Sequence, residues 1–226
     1  MENPFWPLFD LRIRTRRVEI RLPNDDDLAE LARLALKGVH DPAFMPFLHA
    51  WTDEHSPQLE RGLLQWGWRH RATWSPDDWS FNGAVLVDGD IVGVQSLMAK
   101  DFATLRSVKT GSWLGAAHQG QGIGKEMRSA ILHFAFEGLG ALEAHSGGFV
   151  DNEPSLGVSK ALGYEGNGRR TVLRRGRPVE MLDVRLDRSR WRNIEHPDVE
   201  IVGLEGCRDF FVEPESGASE LTEGHI

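Results

Sequence analysis

A single cysteine, Cys207, among 226 residues excludes an intramolecular disulfide framework, so a reducing compartment is the simple expectation. No apolar run approaches the length a bilayer requires, and the opening Met1-Glu2-Asn3-Pro4-Phe5-Trp6 has no basic stretch followed by an apolar one. Neither a membrane partner nor a secretory leader is therefore expected, and the expected location is cytoplasmic. Positive charge is in deficit: a net charge of -8 argues against a sequence-independent nucleic-acid binder, which needs cationic patches to displace counterions. The local exception, Arg12, Arg14, Arg16 and Arg17, alternates with apolar residues and reads as the solvated face of a strand. The nine histidines show no H-E-x-x-H or other ligand spacing, so no metal is expected. Internal repeats and low-complexity tracts are also missing. The length suits one good core and is short for two domains.

What the chain does carry is concentrated in Trp113-Leu114-Gly115-Ala116-Ala117-His118-Gln119-Gly120-Gln121-Gly122-Ile123-Gly124-Lys125-Glu126-Met127. An expected strand runs there through a glycine-rich turn into a helix whose apolar face is Ile123, Met127, Ala130, Ile131 and Phe134, stopped by Gly138 and Gly140. Glycines at 120, 122 and 124 let the backbone approach a ligand, and the free amides of a first helical turn suit a pyrophosphate. A mononucleotide P-loop would place Ser or Thr after Gly124-Lys125, but Glu126 stands there, so no hydroxyl is available for magnesium. A dinucleotide fingerprint needs G-x-G-x-x-G, whereas these glycines fall at every second position and follow no early βαβ unit. The plain alternative is a tight strand-to-helix turn that binds nothing. Gln119-Gly120-Gln121-Gly122-Ile123-Gly124 does match the Q/R-x-x-G-x-G/A signature, and on it the chain resembles the GNAT acyltransferase superfamily.

A second segment lies one helix and one strand further on. Asp151-Asn152-Glu153-Pro154-Ser155-Leu156-Gly157-Val158-Ser159-Lys160-Ala161-Leu162-Gly163-Tyr164 resembles the N-x-x-S…G-F/Y segment of the RimJ/RimL branch of that superfamily. Read physically, Asp151 or Asn152 caps a short helix, Pro154 is tolerated in its first turn, and Gly163 ends it. The resemblance implies that Asn152 contacts the pantetheine arm of coenzyme A, with Asp151 left to cap the helix. It further implies that Leu114, Gln119, Gly120, Gln121, Gly122, Ile123, Gly124, Lys125, Asn152, Ser155 and Ser159 bind the cofactor.

The remaining pattern is compatible with such a chain. Residues 11–22 alternate as one half-exposed strand closed by Pro23, and Asn24 with Asp25, Asp26 and Asp27 opens a helix carrying Leu28, Leu31, Ala32 and Ala35. Prolines 42, 46, 57 and 76 divide the tryptophan-rich stretch that follows, in which residues 59–74 read as a helix. Asp88-Gly89 marks a type I′ hairpin between residues 84–87 and 91–95. Residues 100–105 are expected as a loop, 107–114 and 142–149 as strands, and 170–186 as a hairpin turning at Arg175-Gly176. The expected class is α/β (α+β), and the resemblance implies a GNAT fold with a mixed, mostly antiparallel central sheet flanked by helices. Residues 1–190 form the acyltransferase domain in this reading, and 191–226 a C-terminal extension with a fraying acidic tail.

The resemblance implies acyl transfer from acetyl-CoA or succinyl-CoA to a primary amine by direct attack on the thioester, an EC 2.3.1 reaction. The acceptor is a small molecule, a protein N-terminus or a lysine, and self-association into a homo-oligomer is left open. For the oxyanion the family uses a backbone amide that maps near Leu114. Many relatives place a tyrosine seven residues after the asparagine, but Ser159 stands there, a hydrogen-bond donor to the leaving sulfur or an ordinary helical serine. Glu143 and His145 share a strand face, and His145 is the better general-base candidate because an imidazole takes up protons near neutrality. His118 reads as a pyrophosphate neighbour. Asp78-Trp79-Ser80, Val85-Leu86-Val87-Asp88-Gly89, Ser112-Trp113-Leu114-Gly115 and Glu126-Met127-Arg128 resemble a mycobacterial branch described as succinyl-CoA transferase. That likeness favours a succinyl donor, whose carboxylate would need a cation such as Arg106, Lys109 or Lys100. The competing reading is a non-catalytic acyl-CoA-binding sensor or interaction protein on the same fold.

Overall fold

The computed structural model describes residues 3–212, so the expected acidic tail at 213–226 lies outside the described residues. Two short strands, β1 (Arg12–Arg14) and β2 (Val18–Arg21), are followed by helices α1 (Asp25–Leu36) and α2 (Gln58–Ala72). The hairpin of β3 (Asp78–Val87) and β4 (Asp90–Lys100) leads through one helical turn, α3 (Phe102–Leu105), into β5 (Ser107–Leu114). Helix α4 (Ile123–His133), β6 (Glu143–Phe149) and α5 (Glu153–Ala161) come next. A second hairpin, β7 (Glu165–Arg174) and β8 (Arg177–Asp187), is followed by α6 (Arg188–Trp191) and β9 (Glu200–Val202). The nine strands form one sheet in the order β7-β8-β6-β5-β4-β3-β2-β1-β9. Every neighbouring pair is antiparallel except β5 with β6. A mixed, mostly antiparallel sheet flanked by helices is thus what the chain forms.

Local chemistry accounts for most element boundaries. At the start of α1 the Asn24 side chain accepts from the Asp27 amide while the Asp27 carboxylate accepts from the Asn24 amide, a reciprocal capping box. Asp88 and Gly89 have φ of 52° and 88°, and Arg175 and Gly176 have 48° and 74°, the paired positive values of type I′ hairpin turns. Two expectations need correction. Residues 11–22 are not one strand but a hairpin: the chain reverses at Thr15, whose hydroxyl accepts from the Val18 amide at 3.0 Å. The alternation survives the reversal because Ile13 pairs with Ile20, and both fall on the core side. Residues 100–105, expected as a loop, include the turn of α3, whose Phe102 is fully buried.

The sheet has a core on each face. Leu28, Leu31, Ala35, Leu59 and Leu63 of α1 and α2 pack against Ala84, Leu86 and Val94 on one side. Ile123, Met127, Ala130 and Ile131 of α4 pack with Val18, Ile20, Phe81 and Val85 on the other. The described part of the expected extension, 191–212, is built into this second core. Strand β9 pairs with β1, Phe211 is fully buried, and the indole N–H groups of Trp74 and Trp79 donate to the carbonyls of Phe210 and Phe211 at 2.7 and 3.1 Å.

Candidate active site

The parallel pairing of β5 with β6 is brief: Ser107, Val108 and Lys109 face Glu143, Ala144 and His145, and beyond that register the two strands part. One end of the resulting cleft is the glycine loop at the N-terminus of α4, and the other is the last pair, Lys109 and His145. Gly120 and Gly122 adopt φ of 74° and 79°, a left-handed conformation that glycine enters without strain. Among the described residues the amides of positions 120 to 124 donate to no protein acceptor, and α4 adds the positive end of its dipole. This run of unpaired amides at a helix start is the geometry that an anion would require. It begins one residue later than expected, because the Gln119 amide donates to Ala116 at 3.3 Å. The Gln119 side-chain amide in turn donates to the carbonyls of Val39 and Leu114 at 2.6 and 2.9 Å, which pins the loop to the end of β5. Lys125 is exposed beside the loop, and His118 ends the short 3-10 turn before it.

Arg17 is not a free surface cation. Its Nε donates to Glu126 at 2.7 Å and its guanidinium reaches the Gln121 carbonyl at 3.4 Å, so the β1–β2 turn buttresses the glycine loop. Arg17 is exposed, as the solvated-face reading expects, but it stands in the turn between β1 and β2 and not on a strand.

Helix α5 starts on the far lip of the cleft. Asn152, rather than Asp151, is its N-cap: the Asn152 Oδ1 accepts from the Ser155 amide at 3.3 Å. Asp151 is taken by Arg174, which donates both guanidinium N–H groups to the carboxylate at 2.8 and 2.7 Å. The cap uses only the oxygen of Asn152. Its Nδ2 has no described acceptor and stays available to a ligand. Ser155 is half-buried at the same helix end. Ser159 is buried and donates its hydroxyl back to the Ser155 carbonyl at 3.2 Å. That back-bond is the ordinary behaviour of a helical serine, and it uses the proton that was expected to meet a leaving sulfur.

The cleft holds a group that residue patterning did not single out. Arg128, on the face of α4 one turn below Gly124, is 4% exposed and bridges the two parted strands. It donates to Ser112 Oγ of β5 at 2.9 Å and to Ser146 Oγ of β6 at 3.2 Å. No described carboxylate pairs with it, its Nε lacks a partner, and burial lowers its pKa from the ordinary arginine value, offset in part by the Tyr164 phenol. A charged residue in line with Gly124, Ile131 and Leu132 on the buried side of α4 was the available signal.

On the opposite face of the sheet His145 lines a cavity of about 270 Å³ with Asp78, Met98, Lys100 and Lys109. His145 Nε2 lies 3.0 Å from Glu143 Oε1, and Arg185 approaches the other carboxylate oxygen at 3.0 Å. The hydrogen bond from His145, then those of Ser107 and the charge of Arg185, hold the Glu143 carboxyl below the usual carboxylate range. An ionised Glu143 orients the imidazole and leaves its other nitrogen for a proton. Lys100 and Lys109 form no ion pair among the described residues, whereas Arg106 is turned towards Phe102 and the Leu139 carbonyl. Above the cleft, Trp113 packs on Trp51, and Arg175 at the β7–β8 turn bonds Asp53 at 2.8 Å and the Pro42 carbonyl at 3.0 Å. The segment between α1 and α2 thus walls the site with aromatic side chains.

The chain matches the model of the acetyltransferase (GNAT) domain over residues 17–165. Solved structures share its fold. A ribosomal-protein α-N-acetyltransferase bound to coenzyme A is 18% identical, with 76% of this chain and 95% of that chain covered and a TM-score of 0.62. A ribosomal-protein alanine acetyltransferase from Vibrio fischeri is 18% identical, with coverage of 80% and 98% and a TM-score of 0.63. A spermidine N-acetyltransferase chimera from Vibrio cholerae and hSSAT is 16% identical, with coverage of 79% and 99% and a TM-score of 0.64.

Proposed function

Since this chain belongs to the acetyltransferase (GNAT) family, we propose that it transfers an acetyl or succinyl group from coenzyme A to a primary amine by direct attack. The observation that carries the reading is the continuity of the unpaired amides at 120 to 124 with the cleft between β5 and β6. A pyrophosphate on those amides would send the pantetheine arm into the cleft, past Gly124 and Asn152, and bring the thioester beside Ser112, between Leu114 and the last paired residues. The amine would come from the face bearing His145, whose Glu143-oriented imidazole takes its proton as the nitrogen attacks. Preorganised backbone dipoles around Leu114 would stabilise the oxyanion. Lys100 and Lys109 are the cations that a succinyl carboxylate would meet, and the mycobacterial likeness supports that donor. Some of the structural neighbours act on ribosomal proteins or spermidine, which makes protein N-termini and polyamines the first acceptors to try.

Thiol release from acetyl-CoA and succinyl-CoA, assayed across peptides with free N-termini, lysine peptides and polyamines, tests the reading. Release that depends on one acceptor class is expected. Tight binding of both donors with no release above the buffer rate for any amine would support a non-catalytic acyl-CoA binder instead.

The two atoms of the Asn152 amide can be tested separately. Asn152→Ala is expected to lower the melting temperature and to weaken acyl-CoA binding by about 1 to 3 kcal/mol, the range for a lost buried hydrogen bond. Asn152→Asp keeps a capping oxygen and should spare stability while still losing affinity. Calorimetry and thermal melting read the two effects, and an aspartate variant that binds normally would leave Asn152 with its cap alone.

A further inference from the structure

Among the described residues Arg128 is a charge without a counter-charge. Placing a guanidinium where water is excluded is costly unless an anion or a full set of acceptors receives it. Here it meets only neutral hydroxyls, those of Ser112 and Ser146 on the two parted strands and the Tyr164 phenol, and its Nε is left without a partner. The two serine hydroxyls are differently placed. Ser146 donates its own proton to the Thr110 carbonyl at 3.3 Å and is thereby satisfied. Ser112 accepts from Arg128, is only half-buried, and has no described acceptor for its O–H. Its lone pair is thus held by a cation, which polarises the hydroxyl, while its proton is free to point into the cleft.

We infer that Ser112 is the hydrogen-bond donor to the departing sulfur and that Arg128 is the positioning residue that aims and polarises it. The inference rests on the acyl-CoA reading above, in which the thioester lies at this depth of the cleft. As the amine nitrogen bonds to the carbonyl carbon, the carbon–sulfur bond breaks and its electron pair stays on sulfur. The amine proton leaves through His145, coenzyme A departs as thiolate, and water later protonates it. A developing thiolate beside a cation-backed hydroxyl is stabilised by a charge-assisted hydrogen bond and by the buried positive charge that no described carboxylate neutralises. Ser159, with its proton on the Ser155 carbonyl, cannot do this without breaking its own bond.

The test uses free coenzyme A, whose thiol titrates near 8.5 in solution. Thiolate absorbance of the protein–coenzyme A complex, followed against pH, reports the thiol in the site. The protein contributes little background, because burial pushes its only thiol, Cys207, up to about 12 and raises its only phenol, Tyr164. In the wild-type complex the thiol is expected to titrate about one unit or more below its solution value, the usual size of a charge and hydrogen-bond effect. Ser112→Ala should return it most of the way, Arg128→Gln fully, and Arg128→Lys only in part. Ser112→Ala should also lower kcat by roughly 10- to 100-fold with little change in KM for the donor, as for one lost charge-assisted hydrogen bond. A wild-type complex whose thiol titrates at the solution value overturns the inference while leaving the acyl-CoA reading intact, and so does a lowered value that Ser112→Ala leaves unmoved. Failure of the wild type to bind coenzyme A at all would sink that reading itself. Should Arg128→Gln fail to fold, Ser112→Ala still decides, since it removes one half-exposed hydroxyl and leaves the bridge to Ser146.

Discussion

Gly124→Val should raise the dissociation constant for coenzyme A by roughly 100-fold or more, on the order of 3 kcal/mol, while the protein stays folded. A Cβ at this position would stand 3.9 Å from Leu114 Cδ1 and 3.9 Å from Val158 Cγ2, in ordinary contact. Gly124→Ala should accordingly be tolerated by the fold and serve as the control. The two further methyl groups of valine would fill the mouth of the cleft between β5 and α5, where the pantetheine arm has to pass. Gly122→Val is a poorer probe, because φ is 79° there and a β-branched residue in that conformation is strained by about 1 to 2 kcal/mol, whatever the ligand does. Calorimetry paired with a thermal melt reads both quantities. Normal coenzyme A affinity in a folded Gly124→Val protein would show that the cofactor does not enter between β5 and α5.

The second large effect concerns the proton. His145→Gln should lower turnover by roughly 100- to 10,000-fold, the usual contribution of a general base, and leave donor affinity unchanged. The working form is the deprotonated imidazole, and the glutamine variant offers no nitrogen that can take up the amine proton. Glutamine can still bond to Glu143, which keeps the β6 surface in place and confines the change to chemistry. Glu143→Gln should have a smaller effect, because it removes the orienting charge and not the acceptor of the proton. A glutamine variant with the wild-type rate would move the base to another group on the acceptor wall, or to amine already deprotonated in solution.

How much of this was visible in the residues depended on how local each requirement is. The glycine loop was legible because a left-handed backbone at Gly120 and Gly122 and a helix starting at Ile123 are properties of neighbours in the chain. The same holds for the turns at Asp88-Gly89 and Arg175-Gly176, where side-chain-free or left-handed positions announce themselves. Asn152 was recognised as a cap or a ligand, yet choosing between it and Asp151 needed Arg174, a residue on a distant hairpin that occupies the Asp151 carboxylate. Ser159 stood at the expected spacing, and its burial and its bond to Ser155 took its proton out of use.

Composition and short-range pattern by themselves determined the alternating strand and helix elements, the glycine-rich strand-to-helix turn and the family likeness, because each rests on backbone conformation within about one helical turn or hairpin. The tertiary structure alone decided that residues 11–22 fold back as a hairpin, that residues 200–202 close the sheet edge, and that Arg128 lies between Ser112 and Ser146. Those outcomes depend on which strands lie side by side. Strand pairing and the burial of a charge are set by contacts between residues far apart in the chain, and no spacing along the chain encodes them directly.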